Sequence, residues 1–187
     1  MVNNDSLKGF LPQKGNFRDL ITFQKAECIY DVTVLFTRKY LSRGDRTVDQ
    51  MVQAARSGKQ NIAEGSAAST TSRETEIKLL NVARASFQEL LLDYEDYLRV
   101  NGLPQWKIGN ERLERLRALC TANVDSAYYR DLFEKCNAEM ASNLAITLIR
   151  QTDVFLRKLI DRAKKDFLEM GGIREQMTRA RIEYRKK

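Results

Sequence analysis

Histidine is absent from all 187 residues. That removes the commonest general base at neutral pH, the Ser-His and Cys-His nucleophile pairs, histidine-dependent ribonuclease centres and most transition-metal sites. Proline and glycine are scarce, at 2 and 9 residues. Long stretches therefore run without a breaker, which favours long helices over a strand-and-turn fold. The three cysteines, Cys28, Cys120 and Cys136, stand far apart and form no CxxC pair. Reduced thiols in a cytosol fit this better than zinc or a disulfide framework. No apolar run approaches the length of a membrane span, and Met1–Gly9 lacks the apolar segment of a signal peptide. A cytoplasmic protein without membrane contact is expected, with no metal or other cofactor. Asp, Glu, Lys and Tyr could still catalyse, but no motif points to it, and a non-enzyme is expected.

Hydrophobic content of 43% and charged content of 30% are those of a globular chain. The net charge of +7 is unevenly spread. Up to Pro104 there are 14 Lys/Arg against 13 Asp/Glu; beyond it there are 18 against 12. The excess positive charge is C-terminal, and such a balance suits phosphates or anionic surfaces.

Helical periodicity dominates the chain. Residues 1–16 read as a loose polar arm with Gly9, Pro12 and Gly15. A first helix spans Phe17 to about Leu41, with Leu20, Phe23, Ile29/Tyr30, Val34 and Leu41 inward. After the Arg43-Gly44-Asp45 turn, Asp45 or Thr47 caps a second helix that runs to Glu64 and stops at Gly65. Its inward set is Val48, Met51/Val52, Ala55 and Ile62, and the small Ala54, Ser57, Gly58 and Asn61 admit a close neighbour. Residues 66–72 form a polar connection, and acidic residues after Ser72 suit the first turn of a third helix. Ile77, Leu80, Ala83, Phe87, Leu90/Leu91, Tyr94 and Leu98 hold one face of that helix up to Asn101-Gly102. Short helices are expected at 111–120 and 125–136. A long one follows over 137–170, with Ala141, Ala145, Leu148, Thr152, Phe155, Leu159, Ala163 and Phe167 inward; Gly171-Gly172 breaks it before a basic helix or tail over 171–187. The expected fold is all-α, an antiparallel four-helix bundle over 17–170 with additional C-terminal helices.

Two segments carry a resemblance. The second helix ends in Gly58-Lys59-Gln60-Asn61-Ile62-Ala63-Glu64-Gly65, and the third contains Ala83-Arg84-Ala85-Ser86-Phe87-Gln88-Glu89-Leu90. An Asn-Ile-Ala-Glu-Gly helix end followed by Ala-x-x-Ser-x-x-Glu-Leu resembles the bacterial four-helix-bundle proteins associated with intervening sequences of large-subunit rRNA genes. The likeness covers roughly residues 17–104. Residues 137–181, with the break Phe167-Leu168-Glu169-Met170-Gly171-Gly172-Ile173, look like the suffix of a longer subgroup. The 66–72 linker departs from the pattern by lacking the arginine often found after the Glu-Gly. The resemblance implies a bundle that assembles into a ring, typically a homopentamer, with no established enzyme activity. Its accessory-variability-determinant members, partners of the reverse transcriptase in diversity-generating retroelements, imply RNA or DNA and such an enzyme as further partners.

Two sets of residues are candidates for function. Asn61, Glu64, Gly65, Ser86 and Glu89 read as a structural polar network across the second and third helices, since buried polar groups are normally paired. A two-carboxylate site on Glu64 and Glu89 is the lesser alternative, and it requires both to face one cleft. Arg150, Arg157 and Lys164 recur every seven residues, and Lys158, Arg162 and Lys165 widen their stripe. Arg174, Arg179, Arg181 and Arg185 extend it past the glycine break. Such a ridge tracks phosphates; the competing reading is a solvated face that Asp153, Asp161 and Asp166 partly neutralise. Arg38, Lys39, Arg43 and Arg46 form a smaller basic cluster, and Tyr94, Tyr97, Tyr128 and Tyr129 are stacking candidates, Tyr94 being better placed for the core.

Overall fold

The computed structural model describes residues 16–186; the polar arm expected over 1–16 lies outside them but for Asn16. After a 3-10 turn at Phe17–Asp19 come seven helices: α1 (Ile21–Tyr40), α2 (Arg46–Ala68), α3 (Arg73–Val100), α4 (Glu111–Ala122), α5 (Ser126–Glu134), α6 (Ala138–Met170) and α7 (Ile173–Arg185). No strand occurs among the described residues. Side-chain caps start most of the helices. Asp45 accepts the Thr47 N–H at 2.9 Å, Ser72 the Thr75 N–H at 3.2 Å and Asn137 the Met140 N–H at 2.8 Å, each satisfying a donor that the helix itself leaves open.

Helices α1, α2, α3 and α6 pack in a closed antiparallel cycle, α1 on α2, α2 on α3, α3 on α6 and α6 on α1. The fourth bundle helix is therefore α6, and α4 and α5 are an insertion that covers it and α1. Residues 141–149 of α6 are buried on every side. A helix can be wrapped all round only if its polar groups are answered from within. Ser142, Thr147 and Thr152 donate to the carbonyls of Ala138, Asn143 and Leu148, four residues back, at 2.7–2.9 Å. Asn143 donates to the Pro104 carbonyl at 3.1 Å and accepts the Trp106 N–H at 2.8 Å, tying the 104–106 linker to the helix. Across the core, Tyr94 on α3 donates to Thr33 on α1 at 3.0 Å.

Four expectations need correction. Helix α2 does not stop at Gly65 but continues to Ala68. Gly65 is buried because α3 passes close: a Cβ there would meet Leu79 and Leu80 side-chain carbons at 3.4 Å. Leu20 precedes α1 as its cap residue rather than lying within it. The inward residues in the second half of α1 are Val32, Thr33 and Phe36, with Val34 only half-buried. In α6 the buried residues after Thr152 are Leu156, Ile160 and Ala163, while Phe155 and Leu159 are half-buried.

Gly58 tests the α2–α3 contact. A Cβ there would sit 2.5 Å from the Phe87 ring, and that ring is fully buried and has nowhere to go. A 2.5 Å clash puts the cost of overpacking in the upper part of its range of about 1–3 kcal/mol, against roughly 1 kcal/mol gained in helix propensity, so Gly58→Ala is expected to lower stability by about 1–2 kcal/mol in denaturant melts. An unchanged or raised midpoint would show that α2 and α3 are not this close.

Candidate nucleic-acid interface

All ten cations of the C-terminal stripe are exposed. On α6, Arg150, Arg157, Lys158, Arg162, Lys164 and Lys165 lie on the side facing away from Thr152, Leu156, Ile160 and Ala163, as a 3.6-residue period requires. Besides the Arg150 pair given below, two aspartate contacts hold this outer stretch to α3. Arg73 reaches Asp166 at 3.3 Å while bonding Glu76 at 2.7 Å, and Arg84 bonds Asp153 at 2.6 Å. The positive φ of Gly171, 75°, ends α6 and redirects the chain into α7, which buries no residue.

The cations differ in what they touch. Arg150 pairs with Glu95 at 2.8 Å and Arg157 with Asp153 at 3.1 Å. Lys164, Lys165 and Arg179 make looser pairs with Asp161, Glu169 and Glu175 at 3.7–3.9 Å. The side chains of Lys158, Arg162, Arg174, Arg181 and Arg185 make no ion pair or hydrogen bond among the described residues. Exposed pairs contribute about 0–1 kcal/mol, less than the roughly 1.5–3 kcal/mol of a hydrogen bond to a charged group, so a phosphate can compete for the paired cations as well.

The polar motif on α2 and α3 is only partly a network. Ser57 is its hub: Asn61 donates to the Ser57 carbonyl at 2.8 Å and to its Oγ at 3.2 Å, and Ser86 donates to the same Oγ at 3.1 Å. Glu64 and Glu89 take no part, contrary to expectation. Both are exposed and neither carboxylate has a partner among the described residues. The network closes through short hydroxyls because α2 and α3 are too close there for a carboxylate to fit between them. Glu89 instead faces a shallow polar cavity of about 400 Å³ with Asp49, Gln53, Ser57 and Ser86. One turn on, burial and then the neighbouring carboxylates of Glu89 and Asp96 push the Asp93 carboxyl above its usual range. This face is acidic and unsuited to phosphate.

Of the smaller basic cluster, Lys39 is committed to the carbonyls of Glu134 and Cys136 at 3.3 Å, whereas Arg38, Arg43 and Arg46 line a cavity of about 400 Å³ around the α1–α2 turn. Tyr94 and Tyr129 are fully buried, and Tyr97 packs edge-on against Phe36. Only Tyr128 of the four stacking candidates is exposed.

Two features escaped the sequence reading. Lys25, 1% exposed, donates to the Cys120 carbonyl at 2.6 Å and to Gln151 Oε1 at 3.2 Å, placing a cation at the C-terminal end of α4. Burial lowers its pKa, opposed by the nearby Cys120 and Cys28, whose own thiols burial pushes up to about 12. Its place within the periodic apolar set of α1 was a signal, but the partner carbonyl lies 95 residues away. The second feature is a cavity beside Trp106, described below.

Among the described residues no helix is long and apolar enough to cross a membrane, and no cluster of three or more acidic or cysteine side chains could hold a metal. What the fold defines is an all-α four-helix bundle with inserted and C-terminal helices. Searches of protein-family models, curated proteins and solved structures found no match to the chain.

Because Glu64 and Glu89 are exposed and unpartnered, Glu64→Gln and Glu89→Gln are each expected to change stability by no more than about 0.5 kcal/mol in urea melts. A loss above about 2 kcal/mol would restore them to a buried network.

Proposed function

We propose that the protein is a non-catalytic, homo-oligomeric helical bundle that binds structured RNA or DNA through the basic surfaces of α6 and α7, as an accessory factor to a reverse transcriptase or another nucleic-acid enzyme. The observation that carries this reading is the run of exposed cations on two successive helices, five of them with no side-chain partner among the described residues. Phosphate contacts need only placed charge and release counterions, so such a surface gives affinity without base readout. The likeness of the Asn61–Gly65 and Ser86–Leu90 segments to ring-forming bundle proteins supports the oligomer and the kind of partner. In a ring, a ridge of modest affinity repeats once per subunit and gains by multivalency.

A second reading, a protein-only assembly module, is favoured by one feature. Ile173, Met177, Ala180 and Tyr184 fall at alternating spacings of four and three along α7, and Met177 and Tyr184 are 47% and 59% exposed. That is the apolar seam of a helix made to pair with another.

One set of measurements separates the two. Electrophoretic binding of a hairpin RNA and a DNA duplex is expected at low salt and to weaken steeply as salt rises. Replacing Lys158, Arg162, Arg174 and Arg181 together by Glu should flatten the slope of log K against log salt by about 3–4, near 0.9 per lost contact. Wild-type protein that retards neither nucleic acid at low salt, or a variant that binds as well as wild type, would overturn the first reading. An oligomer that Met177→Glu and Tyr184→Glu dissociate, in protein that binds no nucleic acid, would establish the second.

A further inference from the structure

A cavity of about 380 Å³ lies where the 104–106 linker, α4, the end of α5 and the start of α6 meet. Its size falls at the small end of ligand pockets, roughly 300–1,000 Å³. One wall is apolar, made of Trp106, Leu116, Leu119 and Met140. The rim is cationic: Arg112, Arg115 and Lys135 surround the opening with a single carboxylate, Glu139, among the lining residues.

The wall is rigid. Trp106 is 8% exposed, its indole N–H donates to Glu139 at 2.6 Å, and its backbone N–H is held by Asn143. Glu139 is thereby occupied, and Arg112 lies 3.6 Å from the same carboxylate oxygen and 5.9 Å from the indole ring. Arg115 pairs only with Glu111, an exposed residue on its own helix, and Lys135 has no partner among the described residues. The open apolar lining is chiefly Leu119 and Met140 with the small exposed part of Trp106, and Arg115 and Lys135 beside it remain available, a setting suited to a planar ring carrying an anionic group. A long aliphatic acid needs a deep enclosed channel, whereas this cavity is open along the rim.

We propose that the cavity takes one unpaired nucleotide, with its base against the Trp106–Met140 wall and its phosphate among Arg112, Arg115 and Lys135. The inference rests on the nucleic-acid reading and refines it: the ridge of α6 and α7 holds backbone, while this cavity captures a single extruded or terminal base. Apolar packing of this kind is tolerant of sequence, because every base has a flat face.

Trp106 is the single tryptophan of the chain, so its emission reports on this cavity alone. Titration of the full-length protein with AMP is expected to give a saturable change in tryptophan emission. Adenosine, which lacks the phosphate, should bind about tenfold more weakly or worse, the loss of a charge-assisted hydrogen bond. Arg115→Glu and Lys135→Glu alter exposed side chains and should weaken AMP by a similar factor while thermal melts stay at wild type. Emission that ignores AMP at millimolar concentration would overturn the proposal. So would a full response to inorganic phosphate alone, which would mark a plain anion site, or a response to decanoate stronger than to AMP. If hairpin RNA is retarded while emission ignores AMP, the cavity proposal fails and the ridge reading stands. If AMP is bound while no polymer is retarded, the ridge reading fails and the cavity remains a mononucleotide site.

Discussion

Burying the first half of α6 on all sides is the constraint around which the molecule is arranged. A helix with no solvent face cannot keep polar residues unless each finds a partner, and Ser142, Asn143, Thr147 and Thr152 do so within one turn of their own backbone or on the linker at 104–106. Enclosing it takes three bundle partners' worth of surface, and the two neighbours α1 and α3 leave one side open. Helix α4, with the 104–106 linker, covers that side, while α5 packs on α1. Lys25 then follows as a consequence: α4 ends against α1, and its Cys120 carbonyl is answered by a buried ammonium that also holds Gln151 on α6.

The same helix changes character along its length. Beyond Ile149 only one face stays inward, and arginine and lysine make up most of the exposed side as far as Lys165. Arg73 and Arg84 on α3 grip Asp166 and Asp153, so Asp166 is drawn toward the bundle and Asp153 is shared between Arg84 and Arg157 of the stripe. What remains outside is a surface with more cations than carboxylates, continued by α7 past the glycine at 171. Its opposite in charge is the α2–α3 face, where Asp49, Glu89, Asp93 and Asp96 gather. The proposed binding of an anionic polymer would draw on this polarity to orient it before close contact.

Much of the fold was legible in the sequence because its signals are local. The caps Asp45 and Ser72, the periodic face of α3 and the Asn101-Gly102 stop each depend on a few adjacent residues. Gly65 was not legible, since a glycine after a helical run signals either a C-cap or a close approach of another helix, and only the position of Leu79 and Leu80 distinguishes them. The α6 register slipped by one residue for a similar reason: Phe155 and Leu159 fit helical spacing as well as Leu156 and Ile160 do. The exposed side of the cationic stripe could be read from periodicity alone. Which of its members are spent in ion pairs could not, and the Trp106 cavity depends on how residues 106–119 and 135–140 fold against each other.

Hydrogen exchange, followed by mass spectrometry with and without a structured RNA at low salt, tests most directly the division of α6 into a buried core and a cationic outer surface. The amides of 141–149 should exchange only by global unfolding in both samples, while those of α7, which buries nothing, should exchange quickly alone and slow markedly with RNA. Slowing confined to α2 and α3, with α7 indifferent to RNA, would contradict this division of labour.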